Sequence, residues 1–345
     1  MIYTPGELYF INEQDIQTGT RSNYYKIGIV RDADVRDSKN RLLEHQTGNP
    51  RKLCIVETLY MPAVEAVETN LHYLFARNRV MGEWMSFTDA DLQKAISKAK
   101  ELAEDMQANI KDFKRAEELK NIQSNGKTTH ATNESKDLYA TVMNFKEIIN
   151  SCDKVLDLYK EFLYEAIKKG VDVGGKADVQ VKAGAKKFDE KLFLKNYPDL
   201  YKEYSNITNP VKGSFRLKLD KDWEFDRSTM ESEQVELISD FTEQLDSADY
   251  SLEMGFSLHA MHLGVLEIKK FAEWESDIAT TKLKVITHDA EGIEGICTWK
   301  REPKEVIVLD KKKIQVEHPA EYSSCVVQGA ETEALIVNPK IAEVR

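Results

Sequence analysis

The chain has 345 residues, 41% hydrophobic and 31% charged, with 48 Lys/Arg against 59 Asp/Glu and a formal net charge of −11. That length gives two or three domains with ample core, and that acidity excludes a protein that coats nucleic acid through bulk positive charge. The chain has no apolar run of 18 residues, no basic or apolar leader in Met1-Ile2-Tyr3-Thr4-Pro5, and no CxxC among Cys54, Cys152, Cys297 and Cys325; a membrane span, a secretory signal, a zinc site and a disulfide framework are therefore not expected, and the cytoplasm is the expected compartment.

Residues 6–11 and 24–30, rich in Tyr, Ile, Leu and Val, read as two antiparallel strands joined by a polar loop. Residues 36–46 read as a helix stopped by Thr47-Gly48-Asn49-Pro50, and Leu53 to Leu59 as a third strand. Pro62 opens a helix to about Arg77, with Val64, Val67, Leu71, Leu74 and Phe75 at helical spacing. Gly82 to Phe87 reads as a turn and a short extended piece, and 89–122 as a helix that is solvated in its distal half. The polar, aperiodic 123–135 reads as a linker. A helix over 136–169 follows, then a Gly/Ala-rich loop over 171–187 and an aromatic helix over 188–206, interrupted at Pro198. Two amphipathic helices, about 230–245 and 250–283, precede a tail with strand-like stretches at 296–299, 306–309, 322–327 and 334–337. No internal repeat is read from the sequence. The domain division is thus 1–122, a linker 123–135, a helical region 136–285 and a C-terminal β-containing region 286–345.

Tyr9, Tyr25, Arg41, His45 and Glu68 stand out by their chemistry. Two tyrosines, an arginine, a histidine and a carboxylate supply what metal-assisted phosphodiester hydrolysis needs: a ligand for a cation, charge stabilisation at phosphate, and a group to manage the proton of the attacking water. Arg41 and His45 are four residues apart on one helix face. Residues 1–100 carry 13 Lys/Arg and 13 Asp/Glu, so this part is neutral and the remainder holds the whole deficit.

The ordered series Gly6…Tyr9, Tyr25-Lys26-Ile27-Gly28, Arg41-Leu42, Gln46-Thr47-Gly48-Asn49-Pro50, Glu68…His72 and Gly82-Glu83-Trp84 resembles the GIY-YIG nuclease superfamily, in a branch encoded by phages and bacteria. The resemblance spans roughly residues 5–90. It implies an α+β fold, with a small mixed or antiparallel three-stranded sheet flanked by helices, and one divalent cation, Mg²⁺ or Mn²⁺, held by Glu68. Tyr9 would position water or phosphate, and Tyr25 would accept a proton or donate to the phosphate. Arg41 would clamp the phosphate, His45 would relay the proton, and Lys26 would add a nucleic-acid contact. The first triplet departs from the pattern, reading Glu7-Leu8-Tyr9.

Other features keep two readings. Phe188 to Tyr204 reads as a nucleic-acid platform or as core aromatics; His259 and His262 as metal ligands or as packed histidines; Lys311-Lys312-Lys313 and Lys182, Lys186 and Lys187 as phosphate contacts or solvated turns. The helix 136–169 reads as the arm of a homodimer or as a bundle helix. The expectation is a metal-dependent endonuclease acting on DNA, with RNA left open; the alternative is an inactive nucleic-acid binder or protein-interaction scaffold.

Overall fold

A computed structural model of the chain describes residues 4–47, 49–247 and 252–337. Gly48, within the helix stop read from sequence, lies outside them. The chain opens with β1 (Gly6–Gln14), β2 (Arg21–Arg31), α1 (Ser38–Gln46), β3 (Lys52–Met61), α2 (Val64–Leu74), β4 (Arg79–Met81), β5 (Trp84–Ser86) and α3 (Asp89–Leu119). The strands form one sheet in the order β3-β1-β2-β5-β4, with every neighbouring pair antiparallel. The three expected strands are its core, and the extended piece after Gly82 adds β5, with β4 outside it.

Alternation along the strands decides what lies on each face. Leu8, Phe10, Tyr25 and Ile27 face α2 and α3 and form the main core with Val64, Val67, Leu71, Leu92 and Ile96. Tyr9, Ile11, Val30 and Leu53 point the other way, against Leu42 of α1. Asp37 caps α1 by accepting from Asn40 N at 2.8 Å, and the Glu7 carboxylate accepts from Ser38 N at 2.9 Å, tying that helix to β1. A reciprocal Thr88–Asp91 capping box starts α3.

The chain continues through α4 (Asn133–Lys168), β6 (Ala177–Lys182), β7 (Lys186–Phe188), α5 (Glu190–Asn196), α6 (Pro198–Glu203), β8 (Ser205–Thr208), β9 (Val211–Lys212), β10 (Arg216–Leu217), α7 (Ser232–Ser247) and α8 (Leu252–Thr287). It ends in β11 (Gly292–Ile293), β12 (Cys297–Thr298), β13 (Glu302–Pro303), β14 (Val306–Leu309), α9 (Lys311–Glu317), α10 (Pro319–Ser324), β15 (Val326–Gln328) and β16 (Thr332–Val337). The architecture is α+β: an antiparallel sheet, a helix-rich middle, then small strands. Helix α4 packs with α7 and α8 around Cys152, Tyr159, Leu163, Phe241 and Val265. His259 and His262 are buried there against Tyr159, with ring centroids 6.5 and 4.9 Å away. Helix α8 also reaches back, placing Trp274 and Ile278 in the core under the sheet and donating from Trp274 Nε1 to Asp105 Oδ2 at 2.7 Å.

The polar stretch 123–135 is strapped to 288–301. Ser124 N donates to Arg301 O at 2.9 Å, Asn125 N to Asp289 O at 2.7 Å, and Thr129 bridges Ile293. Arg301 is fully buried, lies over Trp299, and donates to the carbonyls of Leu119, His288 and Ala290. A guanidinium with planar donors can satisfy three carbonyls at once, which fixes the end of α3 to this loop.

Beyond α4 the strands correct three sequence readings. The expected loop 171–187 contains β6 and the start of β7, and the expected strand 322–327 begins as helix α10. In both cases the partner strand lies over a hundred residues away, out of reach of local pattern. The third correction is an internal duplication. The segments 177–217 and 297–337 pair in one uninterrupted antiparallel register: Ala177 opposite Val337, Lys186 opposite Gln328, Ser205 opposite Leu309, Lys212 opposite Glu302, and Leu217 opposite Cys297. Each segment makes a matching excursion of two short helices, α5–α6 in one and α9–α10 in the other. Asp189 and Asp310 cap the first helix, Pro198 and Pro319 start the second. Backbone angles agree at the joint, φ −135 and ψ 62 at Tyr197 and φ −132 and ψ 58 at His318. Asp189 N donates to Cys325 O at 2.8 Å and Asp310 N to Tyr204 O at 2.9 Å, the same bond made reciprocally. The copies are related by a local two-fold axis and share one small core, with Phe193 and Tyr204 from the first and Ile314 and Cys325 from the second.

Candidate active site

Residue 28 must be glycine because of the tyrosine opposite it. Tyr9 and Gly28 are register partners, and a Cβ on Gly28 would lie 2.5 Å from Tyr9 Oη and 2.7 Å from Tyr9 Cζ. The Tyr9 ring, 1% exposed, lies over that glycine with its hydroxyl directed at α1. There Tyr9 Oη is 3.4 Å from His45 Nε2, and the Arg41 guanidinium lies beside it. Burial raises the Tyr9 phenol above its ordinary value against the pull of Arg41, so the hydroxyl stays neutral. Burial and the nearby cations Lys26 and Arg41 lower His45, so its imidazole is neutral and free to accept a proton. Arg41 is ion-paired to Glu44 at 2.5 Å, and its Nε is buried with no hydrogen-bond partner among the described residues.

The sheet does not bring Tyr25 to this group. Tyr25 faces the opposite side, 4% exposed, packed with Phe87 at 6.1 Å between ring centroids in the main core. By strand alternation the residue two before Gly28 that shares Tyr9's face is Lys26. Its ammonium is paired with Glu83, a residue held in the β4–β5 turn. That turn needs Gly82 at φ +59, and Arg79 braces it by donating to Gly82 O at 3.2 Å and to His72 O at 2.7 Å.

Glu68 approaches from the other side of the sheet, on α2. Strand β5 pairs with β2 only from Tyr24 to Lys26, so β2 is open from Gly28 onward, and across this notch the charges of Glu68 and Glu83 are felt at Tyr9. A cleft of about 200 Å³ opens here, lined by Glu68, Thr69, His72, Tyr73, Arg79 and Glu83 among others. Burial, helped by the charge of Glu83, pushes the Glu68 carboxyl up to about 7, with Lys26 and Arg31 pulling it down. His72, one turn on, has Nε2 3.3 Å from Ile27 O and 3.9 Å from Glu68 Oε1. Burial and Arg79 push His72 down to about 4, so the ring is neutral at pH 7 and bonds to the carbonyl without forming an ion pair with Glu68.

Five of the six residues singled out from the sequence therefore converge electrostatically: Glu68 and Glu83 both act on the Tyr9 hydroxyl, and Lys26 acts on Glu68 and His45. Glu83, named in the sequence only within Gly82-Glu83-Trp84, owes its place to a glycine turn immediately before the strand that pairs with Lys26. Among the described residues no group of three His, Cys, Asp or Glu side chains is arranged to hold a metal. The donors that fit a hard cation are the oxygens of Glu68 and Glu83. A divalent ion that takes most of its ligands from water and phosphate needs only one or two carboxylates, and it would offset the burial, and secondarily the Glu83 charge, that raise Glu68.

Residues 6–100 match the T5orf172 domain, which covers the sheet, α1, α2 and the start of α3. No curated protein and no solved structure matches the chain. No described helix is long and apolar enough to cross a membrane.

Proposed function

We propose that the chain is a GIY-YIG-type endonuclease that hydrolyses DNA phosphodiester bonds with the help of Mg²⁺ or Mn²⁺. The observation that carries this reading is the notch itself: a neutral tyrosine hydroxyl, a neutral imidazole and two cations on one side, and a carboxyl strained by burial on the other. The T5orf172 match is compatible with a phage-type nuclease or DNA-binding role and supports DNA as the partner.

In this reading Glu68, with Glu83 beside it, holds the cation, which when bound would stabilise charge on the scissile phosphate and acidify a water. Arg41 and Lys26 bind the phosphate oxygens. Tyr9 stays protonated and donates, orienting the water or phosphate, and His45 takes the proton through its Nε2. Lys26 must leave Glu83 to do so, which couples phosphate arrival to the freeing of a carboxylate for the cation. Tyr25 contributes packing.

The test is nicking of supercoiled plasmid with Mg²⁺ by the full chain and by Glu68→Ala. Nicking by the wild type alone, reduced at least about 10³-fold in the variant, is expected for loss of a metal ligand. Equal residual nicking by both would overturn the assignment. A second reading, binding without cleavage, is favoured by the Lys26–Glu83 pair, which occupies one of the two candidate carboxylates; DNA affinity with no nicking in either metal would select it.

A further inference from the structure

The duplicated unit has kept its core and changed its surface. Each residue of the first copy corresponds to the one 121 positions later, as Asp189 to Asp310, Pro198 to Pro319 and Tyr201 to Tyr322. Inside, aromatic and aliphatic residues replace one another at Phe193 and Ile314. Outside, Lys186, Lys187 and Lys195 of the first copy correspond to Ile307, Val308 and Val316 of the second, which are 47%, 49% and 79% exposed. Two copies of one scaffold thus carry cations at one set of positions and apolar residues at the other.

The charge of this unit is out of keeping with the rest of the chain. Segments 177–217 and 297–337 carry 14 Lys/Arg against 12 Asp/Glu, whereas the rest carries 34 against 47. On the long helices basic residues are neutralised one turn away, as in Lys98–Glu101, Arg115–Glu118 and Lys160–Asp157. Lys186, Lys191 and Lys312 are exposed and have no ion-pair partner among the described residues. Lys191 and Lys312 occupy equivalent positions in the two copies, and α5 and α9 meet through the Lys311–Glu190 pair at 3.0 Å. Lys186 lines a groove of about 650 Å³ with Phe188, Gln315, Tyr322 and Gln328. Phe188 and Tyr322 stack there at 4.6 Å with an interplanar angle of 14°, and Lys311 lies 5.8 Å above the Phe188 ring.

We propose that the exposed lysines Lys186, Lys191 and Lys312 of this duplicated unit, with the Phe188–Tyr322 groove, form a second DNA-binding surface, separate from the notch. Unpaired lysines give the phosphate term, and neighbouring aromatics with amides give contacts to sugar and base. A two-stranded ribbon with free edges has the width of a duplex major groove. The surface explains how an acidic chain holds DNA: attraction is concentrated on one module while the catalytic unit stays neutral. This inference rests on the reading that DNA is the partner, not on cleavage.

The test measures binding of a labelled 30-base-pair duplex to the full-length chain across 50–300 mM NaCl. The protein carries Glu68→Gln in all samples, so that no substrate is consumed. Adding Lys186→Gln, Lys191→Gln and Lys312→Gln lowers the slope of log affinity against log salt by about 2.7, the release of three phosphate contacts at about 0.9 each. Arginine at the same three positions restores it, and Ile307→Ser with Val308→Ser, at equivalent positions in the other copy, leaves it unchanged. An unchanged slope in the glutamine variant, with its unfolding midpoint intact, overturns the proposal. So does loss of binding to an RNA duplex with DNA binding retained, since that reassigns the surface. Plasmid nicking separates the two readings: slope lost without any nicking in the Glu68-intact protein keeps the surface and removes the nuclease, whereas nicking with an insensitive slope does the reverse.

Discussion

The notch and the duplicated module solve the same problem, placing distant residues together, by different means. In the notch, five side chains within 6–100 are positioned by one sheet and two helices, and their chemistry survives in the order of residues along the chain. In the module, two segments separated by α7 and α8 find each other through a register kept over some forty residues. Chemistry constrains residue type tightly at a few points; symmetry constrains shape everywhere and residue type loosely. The first leaves a sequence signature, whereas the second leaves a backbone one.

The largest effect that sharpens this contrast lies within the notch. Tyr9→Phe removes the hydroxyl that meets His45 and Arg41 and is expected to slow nicking 10²–10³-fold, as for other single donors at a reacting phosphate or carbonyl. Tyr25→Phe is expected to leave nicking within about threefold, because that side chain packs on the opposite face. Single-turnover plasmid kinetics on both variants decide it. A Tyr25→Phe variant as slow as Tyr9→Phe would mean that the face assignment of β2 does not describe the working site.

Next in size is the module's core. Phe193→Ala and Ile314→Ala truncate equivalent, fully buried side chains, with expected losses of about 3–5 and 2–5 kcal/mol. If the copies share one core, the double variant costs less than the sum, because one collapsed cavity serves both. Urea unfolding followed by the fluorescence of the module's tyrosines, together with limited proteolysis, measures this. Strict additivity would separate the two halves and break the comparison at its symmetric end.

Much of the sheet and most of the notch were legible because strand alternation and helix caps are local. Gly28, Arg41, His45 and Glu68 fell at spacings that a reader of nuclease motifs recognises. Tyr25 stands first in Tyr25-Lys26-Ile27-Gly28, but the pleat puts it on the core face and Lys26 on the face of Tyr9. Glu83 stood in the sequence only as part of Gly82-Glu83-Trp84, because its contact depends on a turn that brings it to Lys26 across 57 positions. The duplication was illegible for a physical reason. Asp189, Lys191, Pro198 and Tyr201 alone recur identically between the two 16-residue excursions, being the cap, one surface cation, the helix start and one core-edge ring. The remaining positions need only volume and polarity, so they have drifted.

Titration separates Glu68 and His72, one turn apart on α2, by sign. Glu68 is raised to about 7 in the fold from an ordinary 4.5, so the folded state holds the proton more tightly than the unfolded chain. Stability therefore falls as pH rises between those values, and the penalty persists above pH 7, up to about 3 kcal/mol. His72, lowered to about 4 from 6.5, acts oppositely: below 6.5 the unfolded chain gains a proton the fold refuses, so stability falls as pH drops toward 4. Glu68→Gln is thus expected to raise the urea midpoint at pH 8 and to leave it unchanged near pH 4, with the acid-side loss from His72 intact. Added Mg²⁺ should raise the wild-type midpoint at pH 8 and leave the variant's alone, since only the wild type offers the ligand. No stabilisation of the variant at pH 8 would mean that Glu68 is better solvated than the notch geometry implies.

The smallest effect tests the join between fold and chemistry. A methyl on Gly28 would have to displace the Tyr9 ring, since Tyr9 Oη and Cζ already stand 2.5 and 2.7 Å from where it would sit. Neither atom is the end of a flexible chain: the ring is buried, and its hydroxyl is held between His45 and Arg41. Overpacking of this kind costs about 1–3 kcal/mol. Gly28→Ala should therefore lower stability by that amount and also slow nicking, because the only relief is to swing Tyr9 away from α1. In Gly28→Ala with Tyr9→Phe the hydroxyl is already gone, so the two kinetic defects should not add, while the ring clash and its stability cost remain. Additive kinetics in the double variant would show that Gly28 acts on the site by a route other than the tyrosine it faces.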